Sequence, residues 1–312
     1  MIEVKNLTKN FGGKTAVNSI SFSVSKGEIL GFLGPNGAGK STTMRMLTGY
    51  IPPTSGTAVI GGHDIIESSL AAREKIGYLP ENAPVYPEMT VTGYLNFISE
   101  VRGFSGKKKT ERIEETIEKC FLKEVRYQNI GTLSKGFKQR VCFAQAILHD
   151  PEYLILDEPT DGLDPNQKFE VRNMIRNMSE NKSIILSTHI LDEVDSVCSR
   201  AIIIAKGTIA ADDTPENLRK RSKIHGALSL TLPSGSAYEN LIFLKSLPGV
   251  KSGEIFTMPS DSREHIRLYP ENTDPAFVDR IIDALAAKNN HPTSLFIEKG
   301  RLDEVFRSIT SN

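Results

Sequence analysis

Short apolar runs alternate with longer amphipathic segments from Ile2 to about Lys220. The apolar runs are rich in β-branched residues and have the length of strands; the clearest are residues 29–33, 153–157, 184–187 and 201–205. Strands separated by helical segments predict an α/β fold, in which ligands bind near the ends of the strands.

The strand pattern stops between residues 81 and 150, where the apolar positions follow a helical period. Three helices are predicted there, at residues 91–102, 109–121 and 136–148. We therefore expect a mainly helical subdomain, at about residues 82–150, to be inserted into the sheet domain.

A second change of pattern follows the basic run at residues 219–223, which we interpret as a solvated helix end and not as a binding patch. Beyond it the chain predicts strands at 227–232, 265–269 and 293–297 and helices at 276–287 and 301–309. The expected division is a first domain at residues 1–222 and a small α+β domain at residues 223–312.

Composition excludes several classes of protein. The 312 residues include 38 basic and 38 acidic side chains, and this zero formal net charge argues against nucleic acid as a partner. The three cysteines, Cys120, Cys142 and Cys198, lack metal-ligand spacing and fit a reducing compartment. No apolar run approaches the ~18 residues of a membrane span, and the first residues lack the apolar core of a signal peptide.

Residues 34–41 read Gly-Pro-Asn-Gly-Ala-Gly-Lys-Ser and lie between a predicted strand and a predicted helix. The spacing G-x-x-x-x-G-K-S is met by Gly34, Gly39, Lys40 and Ser41. Glycines let successive N–H groups curl around phosphate oxygens, the lysine supplies a positive charge, and the serine hydroxyl can bind Mg²⁺. This segment predicts a nucleotide-binding protein.

Two further strand ends carry polar side chains suited to the same site. Asp157 and Glu158 follow the strand at 153–157, and His189 follows the strand at 184–187. Because side chains alternate along a strand, one carboxylate can serve Mg²⁺ while the other faces a water beside the terminal phosphate. Taken alone, the acidic pair could be an ordinary polar strand end, and the histidine could be structural.

Together these motifs resemble the ATP-binding subunits of ABC transporters over about residues 1–220. Residues 34–41 match the Walker A motif, residues 153–158 the Walker B motif, and residues 133–140 (Leu-Ser-Lys-Gly-Phe-Lys-Gln-Arg) stand at the family signature. Residues 160–164 resemble the D-loop, and Phe11 stands at the adenine-stacking position. The resemblance implies a P-loop NTPase fold, an ABC ATPase core with an inserted helical subdomain, here followed by the small α+β C-terminal domain.

The resemblance also implies how the site works. Two copies would face each other head to tail and enclose two ATP molecules with Mg²⁺, and Glu158 and His189 would be catalytic. The residues expected to contact nucleotide are Phe11, Gly34, Pro35, Asn36, Gly37, Ala38, Gly39, Lys40, Ser41 and Thr42 of one copy and Ser134 and Gly136 of the other. Those expected at the metal are Ser41, Asp157 and Glu81.

Three positions depart from the family pattern: Lys135 replaces a glycine of the signature, Phe137 replaces its glutamine, and Glu81 replaces the Q-loop glutamine. Together with the form of the D-loop, they resemble the multidrug, ABC-2-like exporter branch that includes gliding-motility-type subunits. The resemblance implies a homodimer that powers a separate transmembrane permease and reaches the cytoplasmic face of the cell membrane only through it. The alternatives are a soluble ABC ATPase outside transport and a module that binds ATP without turnover.

Overall fold

The computed structural model of the chain describes residues 1–82, 85–233, 237–258, 261–272 and 274–311. The chain divides into a first unit, Met1–Pro215 with Ile309–Asn312, and a second unit, Glu216–Ser308. The division therefore falls after Pro215, earlier than the expected boundary at residue 222, and the last four residues belong to the first unit. The basic run that suggested the boundary ends the helix Pro215–Lys220, most of which lies in the second unit.

A six-stranded sheet positions the phosphate-binding motifs in the first unit. Its order is β10-β9-β3-β8-β7-β6; the strands are β3 (Ile29–Leu33), β6 (Ile76–Leu79), β7 (Tyr153–Asp157), β8 (Ser183–Thr188), β9 (Arg200–Ala205) and β10 (Thr208–Asp213). All neighbours are parallel except β10 and β9. The four strands predicted from apolar runs are β3, β7, β8 and β9, and their carboxyl ends meet at one edge of the sheet.

A four-stranded antiparallel sheet packs against the first. Its order is β2-β1-β4-β5, and its strands are β1 (Ile2–Phe11), β2 (Lys14–Val24), β4 (Ser55–Ile60) and β5 (His63–Asp64). One core cluster joins apolar side chains of both sheets, such as Val4 and Ile155, with those of helix α1 (Lys40–Leu47). The helix that carries Lys40 and Ser41 is thereby anchored by its buried residues Met44 and Leu47.

Polar side chains cap three helices of the first unit. The helices that follow α1 are α2 (Ser69–Glu74), α3 (Val91–Val101), α4 (Gly106–Lys119), α5 (Lys135–Ile147), α6 (Pro165–Met178) and α7 (Leu191–Val197), and the capped ones are α3, α5 and α6. Thr90 accepts a hydrogen bond from Gly93 N at the start of α3, and Asp164 accepts one from Gln167 N at the start of α6. Helices α3, α4 and α5 form the predicted helical insert, and no strand lies among its described residues.

The second unit contains a separate sheet whose apolar residues form one core with those of two helices. After α8 (Pro215–Lys220) it contains β11 (Leu228–Thr231), α9 (Ala237–Lys245), β12 (Val250–Met258), β13 (Asp261–Pro270), α10 (Phe277–Ala286), β14 (Ser294–Ile297) and most of α11 (Leu302–Thr310). The sheet order β12-β13-β11-β14, antiparallel throughout, is the split arrangement of a βαββαβ fold. Its core packs sheet residues such as Leu228 and Ile266 with Leu244 of α9 and Ile281 of α10.

Within the described ranges, no helix combines the length and the apolar character that a membrane span requires. The three cysteines, Cys120, Cys142 and Cys198, are free thiols, and all three are buried. Burial raises the pKa of Cys120 and of Cys142 to about 12.

Candidate nucleotide-binding site

The loop between β3 and α1 can be built only with glycine at one decisive position. Gly39 has φ of +112°, and a Cβ atom there would lie 2.6 Å from the carbonyl oxygen of Ala16. A larger residue would have to adopt a left-handed conformation and displace backbone as well. Thr43 closes the first turn of the helix by donating a hydrogen bond of 2.9 Å to Gly39 O.

Lys40 is nearly enclosed, with 6% of its surface exposed, and its ammonium group joins the loop to the end of β7. Nζ donates a hydrogen bond of 2.7 Å to Gly34 O and lies 3.5 Å from Glu158 Oε1. Because both charged groups are buried, removing either one would leave the other uncompensated. The loop and the carboxylate after β7 are therefore electrostatically linked.

A cleft of about 380 Å³ opens over this loop. Its lining residues are Phe11, Lys14, Ala16, Asn36, Gly37, Gly39, Lys40, Ser41, Thr42, Glu81 and Glu158. Lys9 Nζ lies 5.1 Å from the centre of the Phe11 ring, and Phe11 is half exposed, so its ring is accessible for stacking. The cleft thus brings together most of the residues expected to contact nucleotide.

Asp157 and Ser41 provide oxygen atoms suited to Mg²⁺. Ser41 Oγ donates a hydrogen bond of 3.2 Å to Asp157 Oδ1, and Ser187 Oγ also donates to this oxygen. Asp157 is 1% exposed, and its second oxygen, Oδ2, is buried without a hydrogen-bond partner among the described residues. A buried, unpartnered carboxylate oxygen beside a hydroxyl fits a hard cation that prefers oxygen ligands.

The other expected ligand, Glu81, is exposed and lines the same cleft. Among the described residues it makes no hydrogen bond or ion pair with Ser41 or Asp157, so its role at the metal stays a prediction. Among all the residues that the structure describes, no three His, Cys, Asp or Glu side chains lie close enough to hold a metal ion by themselves. Because Mg²⁺ prefers six oxygen ligands, an ion held at Ser41 and Asp157 would need further oxygen atoms, from water or from a nucleotide.

Glu158 and His189 meet although they follow different strands. His189 Nδ1 lies 2.8 Å from Glu158 Oε2, while the other oxygen of the carboxylate faces Lys40. Glu158 has φ of +50°, and its N–H donates to Ser187 O at 3.1 Å. This left-handed turn directs the side chain of Glu158 toward the phosphate loop, whereas Asp157 accepts hydrogen bonds from Ser41 and Ser187. The two carboxylates have different partners, as expected, but the left-handed turn at Glu158, and not strand alternation, separates them, because β7 ends at Asp157.

The signature residues lie outside the cleft. Ser134 is exposed at the start of α5, where its hydroxyl accepts a hydrogen bond of 3.3 Å from Phe137 N. Gly136 is buried, and a Cβ atom there would lie 2.4 Å from Gln167 Oε1. Lys135, the departure from the family pattern, pairs with Asp161 at 3.4 Å. Within one chain, then, the start of α5 contacts the segment before and within α6 and not the cleft.

Sequence reasoning missed several polar residues around the catalytic pair. Ser187 holds Asp157, and Glu193 of α7 receives hydrogen bonds from Thr160 and Thr188. A signal for Glu193 was available, because it occupies the buried face of α7 together with Val194 and Val197. A carboxylate on an apolar helix face requires a polar partner in the interior.

The fold and the site define a class. A buried parallel strand, a glycine loop and a helix that begins with Lys40 and Ser41 lie beside a strand that ends with Asp157 and Glu158. This is the arrangement by which P-loop proteins hold the phosphates of a nucleoside triphosphate.

Comparisons with known proteins identify the family within this class. A sequence profile described as "ABC transporter" matches residues 17–161. The chain is 40% identical over 223 residues to the probable multidrug ABC transporter ATP-binding protein YbhF of Escherichia coli K12. This match covers 71% of this chain and 38% of YbhF. It is 32% identical to the linearmycin resistance ATP-binding protein LnrL of Bacillus subtilis 168 over 99% of this chain and 98% of LnrL. A solved structure titled as an ATP-binding subunit of an ABC transporter superposes with a TM-score of 0.65 at 29% identity, covering 71% of this chain and 92% of that one.

The chain therefore belongs to the ABC transporter family, among its ATP-binding proteins. The α/β fold and the family resemblance predicted from the sequence are confirmed. The match to LnrL covers 99% of this chain and therefore includes the second unit. The chain spans 38% of the length of YbhF, the first of the curated relatives named here.

Proposed function

We propose that this protein binds ATP with Mg²⁺, hydrolyses it, and thereby powers a separate transmembrane permease of the exporter type. The observation that carries the proposal is the placement of Glu158: its carboxylate lies between Lys40 at the phosphate loop and His189 of the neighbouring strand. The names of the relatives, which refer to multidrug transport and to linearmycin resistance, favour export.

The side chains divide the chemical work. Glu158 accepts the proton of the attacking water or orients it, and His189 holds Glu158 in that direction through the 2.8 Å contact. Lys40 offsets negative charge on the β- and γ-phosphates, and Phe11 stacks on the base. Ser41 and Asp157 would hold Mg²⁺, with Glu81 as a third proposed ligand, and the ion would neutralise charge that develops on the phosphates.

A second copy completes the proposed site. Ser134 and Gly136 lie outside the cleft of their own chain, which is consistent with a role at the nucleotide of a partner copy. The start of α5 offers the N–H groups and the positive end of a helix to a phosphate, so closure of the dimer depends on the γ-phosphate. The permease would contact the helical insert near residues 81–104, and the protein would lie at the cytoplasmic face of the cell membrane through that contact.

A phosphate-release assay on the purified chain with ATP and Mg²⁺ tests the proposal. We expect steady turnover by the wild type, and Glu158→Gln should slow it by about 10²–10⁴-fold, the usual effect of a positioned base. Glu152→Gln is the matched control, because Glu152 is an exposed carboxylate beside the other end of β7. Nucleotide binding without phosphate release by the wild type would instead indicate a module that binds ATP without turnover.

A further inference from the structure

Two loops carry the catalytic pair, and the sheet fixes only part of each loop. The parallel pairing of β7 and β8 ends at Asp157 and Ser187, and the last backbone hydrogen bond between the two segments runs from Glu158 N to Ser187 O. His189 lies beyond that point. The sheet alone does not fix the 2.8 Å contact between His189 and Glu158, and a further link between the two loops would stabilise it.

Glu193 supplies such a link from the neighbouring helix α7. Its Oε2 atom accepts a hydrogen bond of 2.6 Å from Thr188 Oγ1, and its Oε1 atom accepts one from Thr160 Oγ1. Thr160 lies two residues after Glu158, and Thr188 immediately precedes His189. One carboxylate therefore holds each loop by a different oxygen atom, at a point next to the catalytic side chain.

Glu193 and the two threonines that it holds are buried, so the loss of a hydrogen bond between them is costly. Glu193 and Thr160 are each 1% exposed, and Thr188 is fully buried, so water does not replace a lost hydrogen bond there. Thr188 is itself held, because its Oγ1 accepts a hydrogen bond of 3.0 Å from Ile190 N. Arg172 of α6 lies 3.7 Å from Glu193 Oε1 and compensates the buried negative charge.

The ionised form of Glu193 suits this role. Burial raises the pKa of Glu193 above its usual value, and the hydrogen bond from Thr188 and the charge of Arg172 offset only part of that shift. An ionised carboxylate only accepts hydrogen bonds, so it can receive both threonine hydroxyls at once. A neutral amide offers a single acceptor oxygen and can serve only one of the two loops in this way.

We propose that Glu193 is a positioning residue for hydrolysis: through Thr160 and Thr188 it fixes the distance between Glu158 and His189. This inference rests on the proposed function, since it assigns Glu193 to the same reaction. Glu193 itself touches neither the phosphate loop nor the cleft among the residues described.

A double-mutant cycle on the full chain tests this role. Glu193→Gln, Thr160→Val and Thr188→Val should each lower kcat by about 10- to 100-fold, the effect of losing one hydrogen bond to a charged group. Their affinity for ATP should stay that of the wild type. On a His189→Ala background Glu193→Gln should cost much less, because the geometry that it protects is already lost. Asp192→Asn, a change at an exposed carboxylate of the same helix, is the control.

The outcomes separate the two proposals. Turnover by the wild type combined with equal costs of Glu193→Gln in the presence and absence of His189 would overturn the positioning role and leave the proposed function intact. Absence of turnover by the wild type would overturn the proposed function. In that case the positioning role is tested by the ¹⁵N chemical shifts of the His189 ring. The signals of this ring are identified by their absence from the spectrum of His189→Gln. We expect Thr160→Val and Glu193→Gln to change these shifts, and unchanged shifts in folded variants would contradict the inference.

Discussion

The geometry of the site depends on the backbone conformation of one residue, Glu158. A residue other than glycine whose backbone φ is +50° is strained by about 1–3 kcal/mol, and the surrounding contacts must hold it there. Those contacts are the hydrogen bond from its N–H to Ser187 O and the pairing of its carboxylate with Lys40 and His189. Glu158→Gln keeps the backbone and the shape of the side chain, which makes it a fair test of the carboxylate alone.

His149 predicts a pH dependence of stability. Burial lowers its pKa to about 4, and Nε2 lies 3.0 Å from Ile76 O. In the unfolded chain the pKa is about 6.5, so the unfolded state takes up a proton that the folded state refuses until about pH 4. The free energy of unfolding should therefore fall as the pH is lowered from about 6.5 to about 4, by at most ~1.4 kcal/mol per pH unit.

The comparison of His149→Gln with the wild type isolates this contribution. Gln can still donate a hydrogen bond toward Ile76 O but does not titrate, so the urea midpoint of the variant should fall less between pH 7 and pH 4.5. The pKa of Asp150, which the hydrogen bond from Lys182 lowers, affects stability only below about pH 4 and acts equally in both proteins. Parallel stability curves for the two proteins would contradict the assignment.

At the scale of elements, the packing of α7 against β3 depends on a missing side chain. A Cβ atom at Gly31 would lie 2.8 Å from Cys198 Sγ and 3.5 Å from Val194 Cγ2. Gly31→Ala should therefore lower the free energy of unfolding by about 1–3 kcal/mol through overpacking. Because β3 leads into the phosphate loop and α7 carries Glu193, this contact also joins two parts of the site.

Cys198→Ala supplies the complementary variant, since it removes the sulfur that the new methyl group would meet. The double variant should be more stable than the sum of the two single changes predicts, by about 0.5–3 kcal/mol. Urea unfolding of the wild type, the two single variants and the double variant measures this coupling. Strict additivity would show that the strain of Gly31→Ala arises elsewhere.

These elements also show what the sequence could and could not predict. The strands β3 and β7 have the predicted bounds because a buried parallel strand is a continuous apolar run between breakers. In the second unit, α9 and β12 were not predicted. The apolar residues of α9 do not follow a clear helical face, and β12 mixes polar residues with a glycine at position 253. Their structure depends on the sheet that they complete and not on a local pattern.

The residues of the candidate site also differ in whether the sequence alone could locate them. Lys40, Ser41, Asp157, Glu158 and His189 could be located because each stands in a local motif beside a strand. The contacts of Thr160, Ser187 and Glu193 could not, because they join loops that are adjacent only after β7 and β8 pair. The contributions of Ser134, Gly136 and Glu81 to nucleotide or metal binding stay predictions.

At the scale of the whole molecule, the proposed function makes assembly depend on nucleotide. Glu158→Gln with ATP and Mg²⁺ should sediment as a dimer, because the γ-phosphate that links the two copies is no longer cleaved. The same variant without nucleotide should sediment as a monomer. Sedimentation velocity at several protein concentrations measures both states. Monomers at saturating ATP would contradict the proposed mechanism.

Two further variants assign the parts of this assembly. Adding Ser134→Arg to Glu158→Gln should prevent dimerisation and spare ATP binding, because Ser134 lies outside the cleft of its own chain. A chain ending at Pro215 tests the second unit, for which we propose a role in dimer contact or regulation. Its dimerisation is measured with Glu158→Gln, and its turnover with Glu158 intact. Dimerisation and turnover unchanged from those of the full chain would remove that proposal.

The burial of all three thiols has a practical consequence for such experiments. Alkylating dyes and spin labels react with thiolates, and buried cysteines with raised pKa values form few of them at neutral pH. A cysteine introduced on the surface of the helical insert should therefore take up the label selectively, without prior removal of the native ones. Opening and closing of the assembly can then be followed by fluorescence or by pulsed electron resonance in a chain that is otherwise unaltered.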